Sequence, residues 1–444
     1  MRAPRVLVAG GGLAGVEAAY HLALRGIEVD LYEMRPEKST PAHRTDLLGE
    51  LVCSNSLKGT DPLTAHGLLK KEMAELGSAV LLAAEKTKVP AGKALAVDRD
   101  GFARVLTDIV RSTDLIEIHR EEFSHIVPET PTIIATGPLT SEILASSLKD
   151  ITGTERLFFY DAISPIVDAE SIDMEHAFFG SRWDSLSRDY LNCPLDKDLY
   201  HAFVDELLKS DRVNPRSFED IRFFDACLPI EVMALRGRDS LRFGPMRPVG
   251  FIDPATHRRP YALLQLRREN LRGDAYNLVG FQTRLTYPEQ KRIFSMIRAL
   301  AKADFLRFGS IHRNTFLDSP RVLNKNLSIK GLPLIFLAGQ ITGVEGYMES
   351  AAMGIMAAIA LSAMLSGRAF SPPPADTAIG ALIQHITDEE NTNFQPMNIN
   401  FGIMEPIDAP KKTRKLARLE KESRSFETWL RISGFSPDIR SMTE

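Results

Sequence analysis

The sequence predicts an α/β fold in which a parallel sheet is assembled from both ends of the chain and an α+β domain is inserted between them. Three observations carry this prediction. Residues 5–33 follow the pattern strand, glycine-rich turn, helix, strand, residues 131–137 form another apolar strand pattern, and residues 334–343 repeat a strand that ends in glycines. Alternation of strand and helix patterns is typical of parallel sheets.

The N-terminal turn has the spacing of a dinucleotide-binding motif. Its residues are Gly10, Gly11, Gly12, Leu13, Ala14 and Gly15. Gly10 permits the tight turn, Gly12 lets a pyrophosphate approach the backbone, and Gly15 lets helix and strand pack closely. Glu33, at the end of the second strand, supplies an acceptor for ribose hydroxyls and would repel a 2′-phosphate. The alternative is a glycine-rich turn without a ligand.

Later turns favour FAD over a nicotinamide nucleotide as the bound cofactor. The candidate contacts are Gly137, Gly339, Gln340, Gly343 and Tyr347. A second glycine turn that opens a helix offers backbone N–H groups to a long, extended dinucleotide. Because no other GxGxxG motif occurs, NADH or NADPH would visit the flavin without a domain of its own. The sequence therefore predicts an FAD-binding, Rossmann-like domain of the glutathione-reductase type.

Composition narrows the remaining function classes. The formal charge of −4 does not indicate nucleic-acid binding by the whole surface, so such a partner requires a local basic patch. Three scattered cysteines predict a reducing, cytoplasmic location. The apolar, alanine-rich stretch 351–366 is shorter than the ~18–20 residues of a membrane span, and a strand begins by Arg5, which leaves no room for a signal peptide. Neither a membrane nor a protein partner is predicted.

Patterns along the chain predict the domain boundaries. Residues 1–160 and 316–370 are expected to form the two parts of the FAD-binding domain, and 161–315 the inserted domain on the RNA or substrate side. The intervening stretch is too long for a loop. Three consecutive prolines then introduce a C-terminal extension, 371–444.

An arginine-rich segment, 236–272, is a candidate RNA surface. It holds nine arginines and no lysine, with aromatic residues between them. Arginine binds phosphates through two parallel hydrogen bonds and stacks on bases. The candidate contacts are Arg236, Arg238, Arg242 and Arg247. A solvated, salt-bridged face is the alternative, and the basic run 411–424 is equally ambiguous.

The cysteines form neither a CxxC pair nor a metal-binding pattern, so no metal site is predicted. Cys193 fits an inert core position. Cys53 lies in a polar stretch, and Cys227 lies shortly before the arginine-rich segment, whose charge favours a thiolate. Either is a candidate catalytic thiol, with an ordinary core cysteine as the alternative.

Longer motifs resemble the folate- and FAD-dependent tRNA (uracil-5-)-methyltransferase family, called TrmFO or Gid, which is related to the GidA/MnmG flavoproteins. Besides the glycine motif, they are LVCSNS at 51–56, ACLPIE at 226–231, LRFGPM at 241–246, HRNTF at 312–316, AGQITG at 338–343 and FQPMNINFG at 394–402. They extend over nearly the whole chain.

The resemblance implies transfer of a methylene group from 5,10-methylenetetrahydrofolate to C5 of uridine 54 in the T-loop of tRNA. Reduced flavin would convert methylene to methyl, and NADH or NADPH would restore the flavin. The family's functional cysteines correspond to Cys53 and Cys227, and its flavin-contacting tyrosine to Tyr347. Uracil C5 becomes nucleophilic when a thiolate adds to C6. We assign that role to Cys227 as a hypothesis, with Cys53 as general acid/base or shield, and the reverse pairing stays open.

Other functions fit parts of the same pattern. One is an rRNA-directed methyltransferase of the same family, and another is the related flavoprotein that modifies the tRNA wobble uridine with a partner GTPase. A flavin-dependent disulfide reductase or NADH oxidase is disfavoured because no CxxC pair and no second nucleotide fold occur. An RNA-binding module without catalysis would need neither Glu33 nor two flavin turns.

Overall fold

The computed structural model describes residues 5–40, 42–153, 157–182, 184–213 and 228–434. The strands are β1 Val6–Ala9, β2 Val29–Tyr32, β3 Ser56–Gly59, β4 Lys88–Val89, β5 Ala94–Val97, β6 Ile116–His119, β7 Thr132–Ile134, β8 Leu157–Ala162, β9 Ile166–Asp168, β10 Phe178–Phe179, β11 Tyr190–Leu195, β12 Ala262–Arg268, β13 Ala275–Leu278, β14 Phe305–Arg307, β15 Ile311–Phe316, β16 Ser328–Ile329 and β17 Leu332–Leu337. The helices are α1 Leu13–Ala23, α2 Ala65–Glu75, α3 Ala79–Lys86, α4 Arg99–Arg111, α5 Glu142–Thr152, α6 Lys197–Lys209, α7 Ile230–Leu235, α8 Ser240–Phe243, α9 Tyr287–Phe294, α10 Ser319–Val322, α11 Tyr347–Leu365, α12 Ala378–Thr387 and α13 Arg414–Ser433.

The first sheet combines strands from both ends of the chain. Its order is β16-β17-β7-β1-β2-β6. All neighbouring strands are parallel except the pair β16 and β17. Since β17 lies directly beside β7, the predicted assembly of a parallel sheet from distant segments is confirmed. The carboxyl ends of β1, β7 and β17 consequently meet at one edge of the sheet.

Helices α1 and α11 lie against each other in the core of this domain. Gly354 permits the close approach, because a Cβ there would overlap the carbonyl oxygen of Ala14. By length and composition α11 could cross a membrane, but 83% of its most apolar window is buried inside the protein. It is the central core helix of the first domain.

The second sheet lies between the two parts of the first domain in sequence. Its order is β10-β11-β12-β13-β9-β14, and every neighbouring pair is antiparallel. Buried side chains of α6, α7 and α9 complete a separate hydrophobic core. The chain leaves the first domain through β8 and returns through β15, and these two strands pair with each other. The predicted boundaries near 160 and 315 lie within this pair. The inserted α+β part of the predicted fold class is thereby confirmed.

The C-terminal region packs onto the first domain. Residues 371–374 contain the three prolines, and α12 follows with nearly all of its side chains buried. Helix α13 buries Phe426 and Trp429 in the same hydrophobic core. The described part of the extension therefore belongs structurally to the nucleotide-binding side of the molecule.

Candidate active site

The glycine motif forms the turn between β1 and α1. Gly10 has φ +102°, and a Cβ there would lie 2.7 Å from the carbonyl oxygen of Ala135. A Cβ at Gly15 would overlap the carbonyl oxygen of Gly10, whereas a Cβ at Gly12 would meet nothing within 4 Å. Helix α1 begins after Gly12 without a side-chain cap. Its first N–H groups therefore face an open cleft, as an anion site requires.

Glu33 lies in this cleft in a fixed orientation. Its carboxylate accepts hydrogen bonds from the Gly11 N–H at 3.1 Å and from the Arg35 Nε at 2.8 Å. Burial alone would raise the pKa of Glu33, but the hydrogen bonds and charge of Arg35 lower it below its ordinary value. Arg35 is also bonded to Glu50 at 3.0 Å. The sequence predicted Glu33 but not the arginine that orients it.

The other predicted cofactor contacts fall into two groups. Gly137, Gly339, Gln340 and Tyr347 line the same cleft as Gly10–Ala14. Gly15 and Gly343 are not among its lining residues. Gly343 has φ +84°, and a Cβ there would collide with the ring of Phe394. In the structure, glycine at 343 is explained by packing against the segment 394–402.

A second cavity adjoins the nucleotide cleft and contains Cys53. It is lined by Ala42, Val52, Cys53, Ser54, Ser56, Leu57, Lys58, Pro138, Leu139, Ile163, Gln282, Asn314, Gln340, Glu345, Gly346, Tyr347, Met348 and Glu349. Five of these residues also line the cleft: Val52, Pro138, Leu139, Gln340 and Tyr347. The two cavities are therefore parts of one elongated site.

The segment around Cys53 is held by side chains from distant parts of the chain. The Tyr347 hydroxyl accepts hydrogen bonds from the N–H of Cys53 at 2.8 Å and of Ser54 at 3.3 Å. Arg99 donates to the carbonyl of Leu51, and it is ion-paired with Glu269. Burial and the negative charge of a Cys53 thiolate both raise the pKa of Tyr347 above its ordinary value. The phenol keeps its proton beside the thiol.

A buried carboxylate that the sequence analysis missed lies in the wall of the thiol cavity. Glu349 is fully buried, and its Oε1 lies 3.4 Å from the Lys58 Nζ and 3.5 Å from the His66 Nδ1. Burial would raise the pKa of Glu349, but Lys58 and His66 lower it to about 2. Lys58 reaches this position from a left-handed backbone conformation, φ +64°. No sequence motif marks Glu349, because Lys58 and His66 meet it only through tertiary packing.

The other cysteines differ from Cys53. Cys193 is fully buried in β11, and burial raises the pKa of its thiol to about 12, as expected for an inert core position. Cys227 lies outside the described residues. The structure therefore places one of the two predicted catalytic thiols.

The arginine-rich segment is only partly exposed. Arg236, Arg238 and Arg247 are exposed on the inserted domain, and Arg238 is ion-paired with Asp205. Arg242 is half-buried, with its guanidinium carbon 4.0 Å from the ring centroid of Tyr261. The same segment also contains Arg267, which is buried and donates a hydrogen bond to Ser54 in the wall of the thiol cavity instead of facing the surface.

Among the described residues, Asp30, Glu117 and His119 place one ligand atom each within 4.8 Å of one another. The Arg5 guanidinium donates to both carboxylates at 2.9 Å. The cluster is therefore explained by an ion-pair network, and the acids alone do not define a metal site.

The fold and the glycine-lined cleft define a dinucleotide-binding flavoprotein architecture, and comparison with known proteins narrows the class. The sequence profile of the family described as Glucose inhibited division protein A matches residues 5–369. A solved structure of Aquifex aeolicus GidA superposes with a TM-score of 0.72 at 16% identity, covering 98% of this chain and 74% of the other, which shows the shared fold.

Full-length relatives are much more similar in sequence. The methylenetetrahydrofolate–tRNA-(uracil-5-)-methyltransferase TrmFO of Moorella thermoacetica is 51% identical over 432 residues, 97% of this chain and 99% of the relative. TrmFO of Desulfotalea psychrophila is 50% identical over 430 residues, 96% of this chain and 97% of the relative. This chain belongs to the TrmFO family of GidA-related proteins. The predicted resemblance is confirmed.

Proposed function

We propose that this protein methylates C5 of uridine 54 in the T-loop of tRNA with a methylene group from 5,10-methylenetetrahydrofolate. The observation that carries the proposal is the continuity of the nucleotide cleft with the Cys53 cavity. It supports a cofactor that lies beside a thiol, in a chain half identical to TrmFO proteins along nearly their whole length. The cytoplasm is the proposed location, because the proposed substrate is tRNA.

The residues present fit FAD. Helix α1 presents uncapped N–H groups to a cleft where Gly12 leaves open space, and Glu33 is held as an acceptor beside them. We propose that the cofactor is held by Gly10, Gly11, Gly12, Leu13, Ala14, Glu33, Gly137, Gly339, Gln340 and Tyr347, with Gly15 and Gly343 acting through packing. When bound, reduced FAD supplies the two electrons that turn the transferred methylene into a methyl group, and NADH or NADPH restores it.

The protein's own groups activate the uridine. A cysteine thiolate adds to C6 and makes C5 nucleophilic, so that C5 bonds to the methylene carbon as one bond between that carbon and a folate nitrogen breaks. A base then removes the proton from C5 as the second carbon–nitrogen bond to folate breaks, and after the two-electron reduction the bond between sulfur and C6 breaks. Our hypothesis remains that Cys227 is the C6 nucleophile. Cys53 then acts as the acid/base group or shields the site from water, and Tyr347 orients it through the N–H of Cys53.

The exposed arginines of the inserted domain are the proposed tRNA contacts. Arg236, Arg238 and Arg247 supply charge for phosphates, and Arg242 lies beside the exposed ring of Phe243. A guanidinium next to an exposed aromatic ring suits stacking on bases. Arg238 is ion-paired with Asp205 and Arg242 with Asp239, so these two arginines would exchange a carboxylate partner for phosphate on binding tRNA.

The test is label transfer in a defined mixture. It contains the purified protein, FAD, NADPH, methylenetetrahydrofolate labelled in the methylene carbon, and bulk tRNA that lacks ribothymidine, without S-adenosylmethionine. Label at position 54 is expected. Label in rRNA but not tRNA would assign the rRNA-directed function, and NADPH oxidation with neither RNA labelled would assign a simple flavin oxidase.

A further inference from the structure

Arg267 reaches from the inserted sheet to the segment around Cys53. It belongs to β12 and is only 6% exposed. Its Nε donates to the Asn55 Oδ1 at 2.9 Å, and its Nη2 donates to the Ser54 Oγ at 2.9 Å. The Asn55 amide in turn donates to the carbonyl of Arg268 at 2.9 Å. The two residues that follow the thiol are thus fixed by the neighbouring domain.

Arg307 holds the residue that precedes the thiol. It lies in β14 of the same sheet, and its Nη2 donates to the carbonyl of Val52 at 3.0 Å. Among the described residues, neither Arg267 nor Arg307 is ion-paired with a carboxylate, whereas Arg99 is paired with Glu269. Burial lowers the pKa of both unpaired guanidinium groups, to about 10 for Arg307. The acid that attracts Arg267 is Glu269, which is already ion-paired with Arg99, and Arg307 is half-buried, so a further anion between the two guanidinium groups would be stabilised.

Cys53 can supply that anion. The charged and titratable groups that face it are Arg99 from α4, Arg267 from β12, Arg307 from β14 and Tyr347 from α11, and Lys58, Glu345 and Glu349 line the same cavity. Attraction to the negatively charged sulfur opposes the effect of burial on Arg267 and Arg307. A thiolate beside arginine is stabilised by the same interaction.

We propose that Arg267 and Arg307 are positioning residues that fix the Cys53 segment and stabilise its thiolate, so that the inserted domain controls the reactivity of the thiol. The inference rests on the proposed function only in treating Cys53 as the acid/base group of the reaction. It assigns a task to Arg267 other than RNA contact, although the residue belongs to the arginine-rich segment.

The test is the pH dependence of Cys53 alkylation by iodoacetamide in the purified full-length protein, resolved by peptide mass spectrometry. Arg267→Gln and Arg307→Gln are each expected to shift the midpoint of the profile upward by about 1 pH unit, because each removes a positive charge beside the thiolate. Arg267→Lys keeps the charge and should shift it less. Arg298→Gln is the matched control, since Arg298 is exposed on the same domain and paired with Asp196; its midpoint should not move.

Unchanged midpoints in folded Arg267→Gln and Arg307→Gln proteins would overturn the inference. If Arg267→Gln fails to fold, the half-buried Arg307 carries the test alone. The readout does not depend on tRNA methylation. If the midpoints shift but the protein labels no tRNA, the proposed function is rejected and the inference stands. If the protein labels tRNA but the midpoints do not shift, the inference is rejected and the proposed function stands.

Discussion

The nucleotide cleft and the thiol cavity share five lining residues but are built in different ways. The cleft wall at α1 consists of consecutive residues whose backbone conformation and lack of side chains create the site. In the thiol cavity, by contrast, the phenol that orients Cys53 is 294 residues away in sequence. A site made of backbone can be encoded in a short motif, whereas a site made of side chains depends on tertiary structure.

Replacement of the Cys53 thiol should have the largest effect, and it should affect the chemistry in the thiol cavity without affecting cofactor binding in the nucleotide cleft. Cys53→Ala is expected to lower label transfer to tRNA by about 10³-fold or more, because it removes a reacting group. The flavin content of the purified protein should stay at the wild-type level, since the cleft does not depend on the sulfur. Cys193→Ala is the control and should retain transfer. Loss of flavin together with transfer in Cys53→Ala would show that the cavities are not built independently.

The glycine motif offers a matched pair of substitutions in the cleft. Gly15→Ala is expected to destabilise the protein by about 3 kcal/mol, because the added methyl group overlaps the carbonyl oxygen of Gly10. Gly12→Ala should keep its stability in urea unfolding but bind less FAD, since its methyl group points into open space. Equal stability of the two variants would contradict the assignment of Gly15 to packing and Gly12 to the ligand.

The hydroxyl of Tyr347 links the two cavities. Tyr347→Phe leaves the buried N–H groups of Cys53 and Ser54 without this acceptor and should cost about 2 kcal/mol in urea unfolding. Tyr287→Phe, at a 56% exposed position, is the control and should change stability little. A stability loss no larger than that of the control would mean that the hydroxyl does not hold the Cys53 segment.

The smallest expected effect is a pH-dependent change in stability on substitution within a pair of buried carboxyl groups remote from both cavities. Glu72 of α2 and Glu422 of α13 are both fully buried. Burial raises the pKa of each, and for Glu72 the hydrogen bond with Glu422 and its charge add to this. Carboxyl groups with a raised pKa stabilise the fold fully at acidic pH and lose that contribution as the pH rises.

Glu422→Gln removes one ionisable group. Its free energy of unfolding relative to that of the wild type should therefore increase by about 1 kcal/mol between pH 5 and pH 8. Thermal unfolding at both pH values measures it. Glu420→Gln, exposed on the same helix, should show no such pH-dependent gain. If both variants behave alike, the buried pair does not titrate as described.

The sequence predicted the features that depend on backbone more fully than those that depend on side chains. The joining of β1, β7 and β17 in one parallel sheet was predictable because each of these strands ends in a small-residue turn. Arg35 and Glu349 were missed because their partners come from tertiary packing, and neither residue forms a motif. Arg267 carries no local signal that separates it from the exposed arginines of its segment. Cys227 lies outside the described residues, so its role stays a prediction.

The most direct test of the continuous site is alkylation of Cys53 in the FAD-loaded protein. Iodoacetamide is added in steps, and the visible absorption of the flavin and the rate of label transfer to tRNA are measured against the alkylated fraction of Cys53. The account predicts that the flavin spectrum changes and transfer falls, both in proportion to that fraction. Complete alkylation of Cys53 with an unchanged spectrum and unchanged transfer would contradict it.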